Sequence, residues 1–467
     1  MKYKKSFSGI LTAAVLSFSV ITLSANSAMT RWEGTDRNGA VSAEEDCPLI
    51  VEKEVLTFDL AEVPVIQPAD QHWDTYSGSV TAEYTFYNPS DLNVTAHLVF
   101  PFGTMPMYAH FSGETGTEAF RNAEKDHYKI SVNGEAIRPV LRHTWQGLHP
   151  FSLQEDMPLL FEDDDDFYRD DLPVTVCTYS VQDVDPQYTA AAVRAPLSAD
   201  PSKTRYSVFP FNGGTFDDNK TEIQVWADVS TITLVIYGEV PDQEPEWTFY
   251  ENGQSEKVIE GSMVLTGKES CSFREWALQS YQKDSEILEQ DYVNAYRQML
   301  IQDCVNGNII TEPESTSLPE GRLMRWYAYE IHTGPGERIV NSVTAPMYPD
   351  IDEGYKDPVY TYNYLLSPAS SWKEFHDLDV YIHTDLKQLR NSLEGFEEVS
   401  GGYQAHFDSL PEKELEFDLC AVTHPQRKNN SGTLYLLIFL VPLVLGFILF
   451  FAVIIFILKL IFRKKQS

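Results

Sequence analysis

The chain is poor in the residues that staple a fold or carry familiar catalysis. Five cysteines (Cys47, Cys177, Cys271, Cys304 and Cys420) are spread over 467 residues. They are too few for a disulfide scaffold, and with no CxxC pair they give no basis for a zinc ribbon or a thioredoxin-like centre. The odd count leaves one thiol over, and no disulfide is expected to be essential. The sequence also lacks a G-x-S-x-G elbow, an H-E-x-x-H pair, a P-loop and a dinucleotide glycine pattern. Those absences remove the serine-hydrolase, zinc-protease and nucleotide-binding readings that such motifs carry. Eleven histidines are scattered; His376 and His383 flank one predicted strand at an odd spacing that puts them on opposite faces. Positive charge is scarce as well, with 35 basic against 69 acidic residues and a net charge of −34. Such a field repels nucleic acid, so no nucleic-acid partner is expected, and it draws cations or basic proteins. At 43% hydrophobic and 22% charged, the chain still has enough apolar material for a folded body.

The two ends set the expected address. Residues 1–28, MKYKKSFSGILTAAVLSFSVITLSANSA, combine Lys2, Lys4 and Lys5, an apolar run from Ile10 to Leu23, and a small-residue exit. These are the parts of a secretory signal, with cleavage expected after Ala28 and with Ser27 or Ala25 as other exits. Leu434–Leu458 carries no charge over 25 positions. At ~1.5 Å per residue a helix of that length crosses a ~30 Å hydrocarbon core. Lys459, Arg463, Lys464 and Lys465 follow, which predicts a cytoplasmic tail over 459–467. The expectation is a cell-membrane protein with a single pass and its N-terminal ectodomain outside. Setting aside the seven cations at the two ends leaves 28 basic against 69 acidic residues, near −41 for that ectodomain.

Between the ends the dominant period is two. Val80, Ala82, Tyr84 and Phe86 alternate with Thr81, Glu83 and Thr85; after Asn88-Pro-Ser-Asp91, Val94, Ala96, Leu98 and Phe100 resume the pattern. This predicts a half-buried hairpin. Tyr128, Ile130 and Val132 run into Asn133-Gly134, whose tolerance of positive φ suits a tight hairpin turn. Similar alternation recurs over 223–236, 378–383 and 414–419. Ser272-Phe-Arg-Glu275 fits a capping box, and Leu288, Tyr292, Ala295 and Met299 follow helical spacing. The predicted architecture is mainly β: antiparallel β-sandwich modules with a helical insertion, plus one C-terminal transmembrane helix. In order, it has a polar lead (29–48), a β-sandwich module (49–150), an acidic insertion (151–204) and a β module (205–268). A helical segment (271–304), a C-terminal β module (318–422), a tether (423–433) and the membrane span (434–458) follow.

Three patches carry candidate chemistry. FEDDDDFYRDD (161–171) sets seven acids among Phe161, Phe167, Tyr168 and one arginine. An EF-type calcium loop needs a glycine at its sixth place and a glutamate at its twelfth. Starting from Asp163, Asp164 or Asp165 the glycine is missing. The run reads as a solvated loop, with a calcium site or a docking point for a basic protein as the sharper alternatives. Asp350 and Asp352, followed by Gly354 and with Asp357 in reach, form a second calcium candidate; an ordinary turn is the plainer reading. Tyr360, Tyr362 and Tyr364 share one face of a predicted strand, with Trp372 nearby. They read as packing, or as an aromatic platform for a sugar ring of a cell-wall polymer. No catalytic residue stands out, and no cofactor beyond the calcium candidates is expected.

The stretches YTFYNPSD, LVFPFG, RLMRWYAYEIHTGPGERIVNSVTAP and YLLSPASSWKEF–HDLDVYIHT resemble uncharacterised exported single-pass membrane proteins of Gram-positive bacteria. The YTFYNPSD strand and turn also resembles the N-terminal β module of inter-alpha-trypsin inhibitor proteins. Neither resemblance brings functional residues with it. The expected role is a non-catalytic binding or interaction module at the cell surface, taking a wall polymer, a cation or a basic protein. The alternatives are a membrane-anchored hydrolase with an unrecognised carboxylate site, or a subunit of a membrane assembly.

Overall fold

The computed structural model describes residues 24–35, 41–42, 47–60, 78–103, 128–147, 151–161, 165–217, 220–254, 257–283, 286–302, 318–319 and 322–428. These divide into two compact units. The larger holds the residues up to Asp350 with Tyr362–Asp385 and Asn391–Phe417; the smaller holds Ile351–Thr361, Leu386–Arg390 and those from Asp418 on.

The larger unit is organised by alternation along its strands. One sheet has eight, in the order Glu397–Val399, Gly402–Phe407, Phe375–His383, Ile50–Asp59, Ser79–Tyr87, Arg338–Pro346, Lys129–Val132 and Glu135–Ile137. Another has five, in the order Val41–Ser42, Ala28–Thr35, Asn93–Gly103, Leu323–Thr333 and Val140–Trp145. Val80, Ala82, Tyr84 and Phe86 are buried, as are Val94, Ala96 and Leu98, while the residues between them stay nearer water; from Leu98 to Gly103 the strand is buried on both faces. Asn133 (φ 49°) and Gly134 (φ 79°) make the tight turn between Lys129–Val132 and Glu135–Ile137, the left-handed pair that such a turn requires. Most neighbouring strands are antiparallel, but Phe375–His383 runs parallel to Ile50–Asp59.

A row of polar side chains lies on the inner face of the eight-stranded sheet. Glu54 and Asn341 are both Cα partners of Tyr84, one on each side, and all three are wholly buried. The segment Asn26-Ser27 docks on this row. Asn26 Nδ2 donates to Glu54 Oε2 at 3.1 Å, and Asn26 Oδ1 accepts from the hydroxyls of Tyr84 (3.2 Å) and Tyr364 (2.8 Å). The Ser27 amide donates to the Tyr84 hydroxyl at 2.9 Å, and Trp372 Nε1 donates to the Ser27 carbonyl at 3.2 Å. Tyr329, from the five-stranded sheet, closes the network: its hydroxyl lies 2.8 Å from Ser27 Oγ and donates to Asn341 Oδ1 at 2.9 Å. Glu54 Oε1 has no hydrogen-bond partner among the described residues. Burial pushes the Glu54 carboxyl up to about 8, against the lowering effect of its bonds to Tyr84 and Asn26.

Two four-stranded sheets form a second layer pair in the same unit. One runs Thr204–Phe209, Thr231–Gly238, Pro173–Gln182, Ser262–Ser272; the other runs Gly214–Asp217, Lys220–Trp226, Ala192–Leu197, Thr248–Tyr250. Val193, Ala195, Ile223 and Val225 meet Tyr206, Val208, Ile232 and Leu234 between them. Two helices follow. Ser272 and Glu275 form a reciprocal capping box at the head of Phe273–Ala277, and Glu289–Gln302 buries Tyr292, Ala295, Tyr296 and Met299. In the smaller unit, Asp418 accepts from the Thr361 hydroxyl at 2.8 Å and from the Arg390 guanidinium at 2.8 and 3.2 Å.

Several expectations change. The chain is mainly β with several sheets and short helices, and the expected transmembrane helix is not found among the described residues. Among the described residues no helix is long and apolar enough to cross a membrane, and Leu434–Leu458 lies outside them. The single-pass topology, the cell-surface address and the membrane as a partner rest on that segment, and nothing described here carries them. The polar lead includes a strand, Ala28–Thr35, with Trp32 buried. Cleavage after Ala28 would take Asn26 and Ser27 out of the core. Cys47, Cys177, Cys271 and Cys420 are free thiols; Cys304 lies outside the described residues.

Glu54 makes stability depend on pH. Its carboxyl moves from an ordinary 4.5 to about 8 on folding. Its contribution is therefore fully present below about pH 4.5 and is lost as pH rises through 8. Glu54→Gln, which cannot ionise, is expected to gain in melting temperature relative to the wild type between pH 5 and pH 9. Parallel melting curves for the two proteins across that range would contradict a neutral, buried Glu54.

Candidate functional site

Among the described residues the outer face of the five-stranded sheet is covered in part. Residues 151–161 lay Phe151, Leu153, Met157 and Leu160 over Val99, Met324 and Trp326. Among the described residues this cover does not extend over the whole face. A groove of about 740 Å3 runs across it, lined in part by Arg31, His97, Arg138, Val140, Glu330 and His332. A volume of this size suits a small organic molecule.

The register of three strands assembles the polar side. Arg31 is the Cα partner of His97, and His97 is the partner of Glu330. In the adjacent row Glu33, Thr95 and His332 are matched in the same way. His97 Nδ1 lies 3.0 Å from Glu330 Oε1, and His332 Nδ1 lies 2.9 Å from Thr95 Oγ1. Both rings are thus oriented through Nδ1.

The groove's three arginines differ in their commitments. Arg142 holds the wall: its Nε donates to both oxygens of Asp291 at 3.0 Å, and its Nη2 donates to the Leu160 carbonyl at 2.9 Å. Asp291 also accepts the His143 amide at 2.8 Å. Arg31 and Arg138 are exposed, and neither guanidinium makes a hydrogen bond or ion pair among the described residues. Beside them, Val140 and Phe161 are each 51% exposed. Unpaired guanidinium groups next to uncovered apolar surface suit a ligand with an anionic head and an apolar body.

The sequence candidates lie elsewhere. Asp350, in the larger unit, is half-buried; burial and then the neighbouring Glu416 carboxylate push its carboxyl up to about 6. In the smaller unit, exposed Asp352 accepts the Gly354 amide at 2.8 Å, and the Asp357 carbonyl faces Cys420 Sγ at 3.7 Å. The acids and histidines that converge closely enough to share an ion among the described residues are Asp377, His406 and Asp408; Asp350, Asp352 and Asp357 are not in that group. Tyr360, Tyr362, Tyr364 and Trp372 are all buried. Tyr362 stacks on Phe417 at 5.4 Å, and Tyr364 and Trp372 serve the polar network.

The described part of FEDDDDFYRDD is a tied-down turn. Asp165 Oδ1 accepts the amides of Phe167 and Tyr168 at 2.8 and 2.7 Å. Asp170 pairs with Arg297 at 2.6 Å and with Arg274 at 3.0 Å. Phe167 and Tyr168 belong to the helix-packing core, while Phe161 opens into the groove. Residues 162–164 lie outside the described residues.

Sequence reasoning passed over the groove. His97, Glu330 and His332 sit on the polar faces of amphipathic strands, and only the register across strands brings them together. Arg31 fell in a segment read as a lead without pattern.

No family model and no curated protein matches the chain. One similar solved structure is a candidate nutrient binding protein from Legionella pneumophila, 9% identical, covering 85% of this chain and 71% of that one at a TM-score of 0.28. A score that low carries no argument about fold or ligand. The resemblances to exported Gram-positive membrane proteins and to the inter-alpha-trypsin inhibitor module are therefore not supported.

Arg142 and the unpaired arginines are expected to separate in a stability measurement. Arg142→Ala strips the guanidinium from buried Asp291 and should cost about 3–5 kcal/mol in urea unfolding. Arg31→Ala should stay within about 0.5 kcal/mol of the wild type. Equal effects would contradict the division of roles.

Proposed function

We propose that the groove of the larger unit binds a small organic anion with an apolar body. The observation that carries this reading is the pair Arg31 and Arg138. Two guanidinium groups without a partner among the described residues open into one groove in a chain whose net charge is −34. A guanidinium fork matches the two oxygens of a carboxylate or phosphate, and each charge-assisted bond is stronger than a neutral one. The long-range field of the protein repels anions, so recognition rests on this local reversal of sign. Ile137, Val140 and Phe161 offer the apolar body a wall that water reaches in the free protein. His97 and His332, oriented by Glu330 and Thr95, add polar contacts in fixed positions and so favour one pose.

Decanoate is a suitable probe, with decanol as the uncharged control, both by titration calorimetry on the full chain. The wild type is expected to prefer decanoate. Arg31→Ala/Arg138→Ala should weaken it by about 10–100-fold, the range for losing hydrogen bonds to a charged group, while leaving decanol unchanged. Equal decanoate binding by the double variant and the wild type would overturn the proposal.

A further inference from the structure

A second constellation stands on the eight-stranded sheet, on the strands Phe375–His383 and Gly402–Phe407. Asp379 and His406 are Cα partners there. His406 Nδ1 lies 2.7 Å from Asp379 Oδ1, and the other Asp379 oxygen is held by Lys53 Nζ at 2.6 Å. Asp379 is the sheltered member, with 17% of its side chain exposed. With Nδ1 donating to that carboxylate, the free electron pair of the neutral imidazole is on Nε2. Nε2 faces Asp408 Oδ1 at 3.3 Å. Asp377, two residues before Asp379 and so on the same face, completes a group whose ligand atoms all lie within 4.8 Å of one another.

We propose that His406 Nε2, Asp377 and Asp408 form a binding site for a divalent transition-metal ion of the zinc type, with Asp379 as the positioning residue behind the histidine. Three features argue for a metal over a solvated cluster. First, the ligand types are those zinc accepts, one imidazole and two carboxylates, with one tetrahedral position left to water. Second, bonds of ~2.1 Å place neighbouring ligand atoms of a tetrahedron about 3.4 Å apart, and the His406–Asp408 separation is 3.3 Å. Third, a carboxylate accepting the remote ring N–H is the usual support of a metal-bound histidine, because it fixes the tautomer and raises basicity. Charge adds to the case. Asp377 and Asp408 lie one residue beyond the paired Leu378 and Phe407, and like charges facing across strands repel. Lys53 answers Asp379 and not Asp408. The site is distinct from the anion groove, so either can stand without the other.

The test is calorimetric titration of the full chain with zinc chloride, beside the absorption spectrum with cobalt(II). The wild type is expected to bind zinc with a component that His406→Ala and Asp408→Asn each weaken by tenfold or more. Both residues are exposed, and circular dichroism should show both variants folded. Asp379→Ala should lower affinity by about 10–100-fold and, without metal, release His406 to mixed tautomers by nitrogen NMR. A merely structural role for Asp379 would leave the tautomer unchanged. Zinc binding of equal strength in His406→Ala and the wild type, or no zinc binding by the wild type, would overturn the assignment.

Discussion

A buried polar network holds the larger unit in register. Glu54, Tyr84 and Asn341 form one row across three strands, and Tyr329 reaches it from the opposite sheet through Ser27 and Asn341. Groups of this kind are costly to bury unless each finds a partner, so the arrangement that satisfies them is strongly preferred over its neighbours. Side chains alternate along a strand, and with Tyr329 fixed inward, Ala328 and Glu330 must face outward. The same reasoning applies to Asn26-Ser27, whose docking sets the start of the strand that carries Arg31. The groove is thus a consequence of how the core is pinned. A slip of one residue in Leu323–Thr333 would bury Glu330 and His332 and erase the site.

The acidic surplus is partly spent on structure. Asp165 closes a turn through two backbone amides, Asp170 joins Arg274 and Arg297 beside the helix core, and Asp291 anchors Arg142. Asp170 and Asp291 thereby take up three of the chain's few cations. Two exceptions stand out among the described residues: the guanidinium groups of Arg31 and Arg138, without an ion-pair partner in the groove, and the two carboxylates of Asp377 and Asp408 gathered at His406. One place offers positive charge and the other offers ligands for it. A single figure for net charge hides both.

Much of the secondary structure was legible in the sequence because it follows from local rules. Val80 to Phe86 and Val94 to Leu98 alternate in the sequence and in burial, Asn133-Gly134 turns where positive φ is tolerated, and Ser272 with Glu275 caps a helix. Relations between distant strands were not legible. The parallel pairing of Phe375–His383 with Ile50–Asp59 has no local signature. The tyrosines at 360, 362 and 364 share a face, as their spacing implied, but spacing cannot say whether that face meets water or a second layer; it is buried. The acidic run misled for a related reason, since Arg274 and Arg297 lie about a hundred residues from Asp170 in the chain. His406 was one scattered histidine until the sheet set Asp379 opposite.

The central claim is that Asn26-Ser27 belongs to the core and fixes both sheets. Native-state amide hydrogen exchange tests it most directly. The Asn26 amide donates to the Leu365 carbonyl and the Ser27 amide to the Tyr84 hydroxyl. Both are predicted to exchange only with global unfolding, at the same free energy as the amides of Tyr84 and Asn341. Exchange at Asn26 and Ser27 as fast as at a frayed chain end, with Tyr84 and Asn341 still protected, would contradict the account.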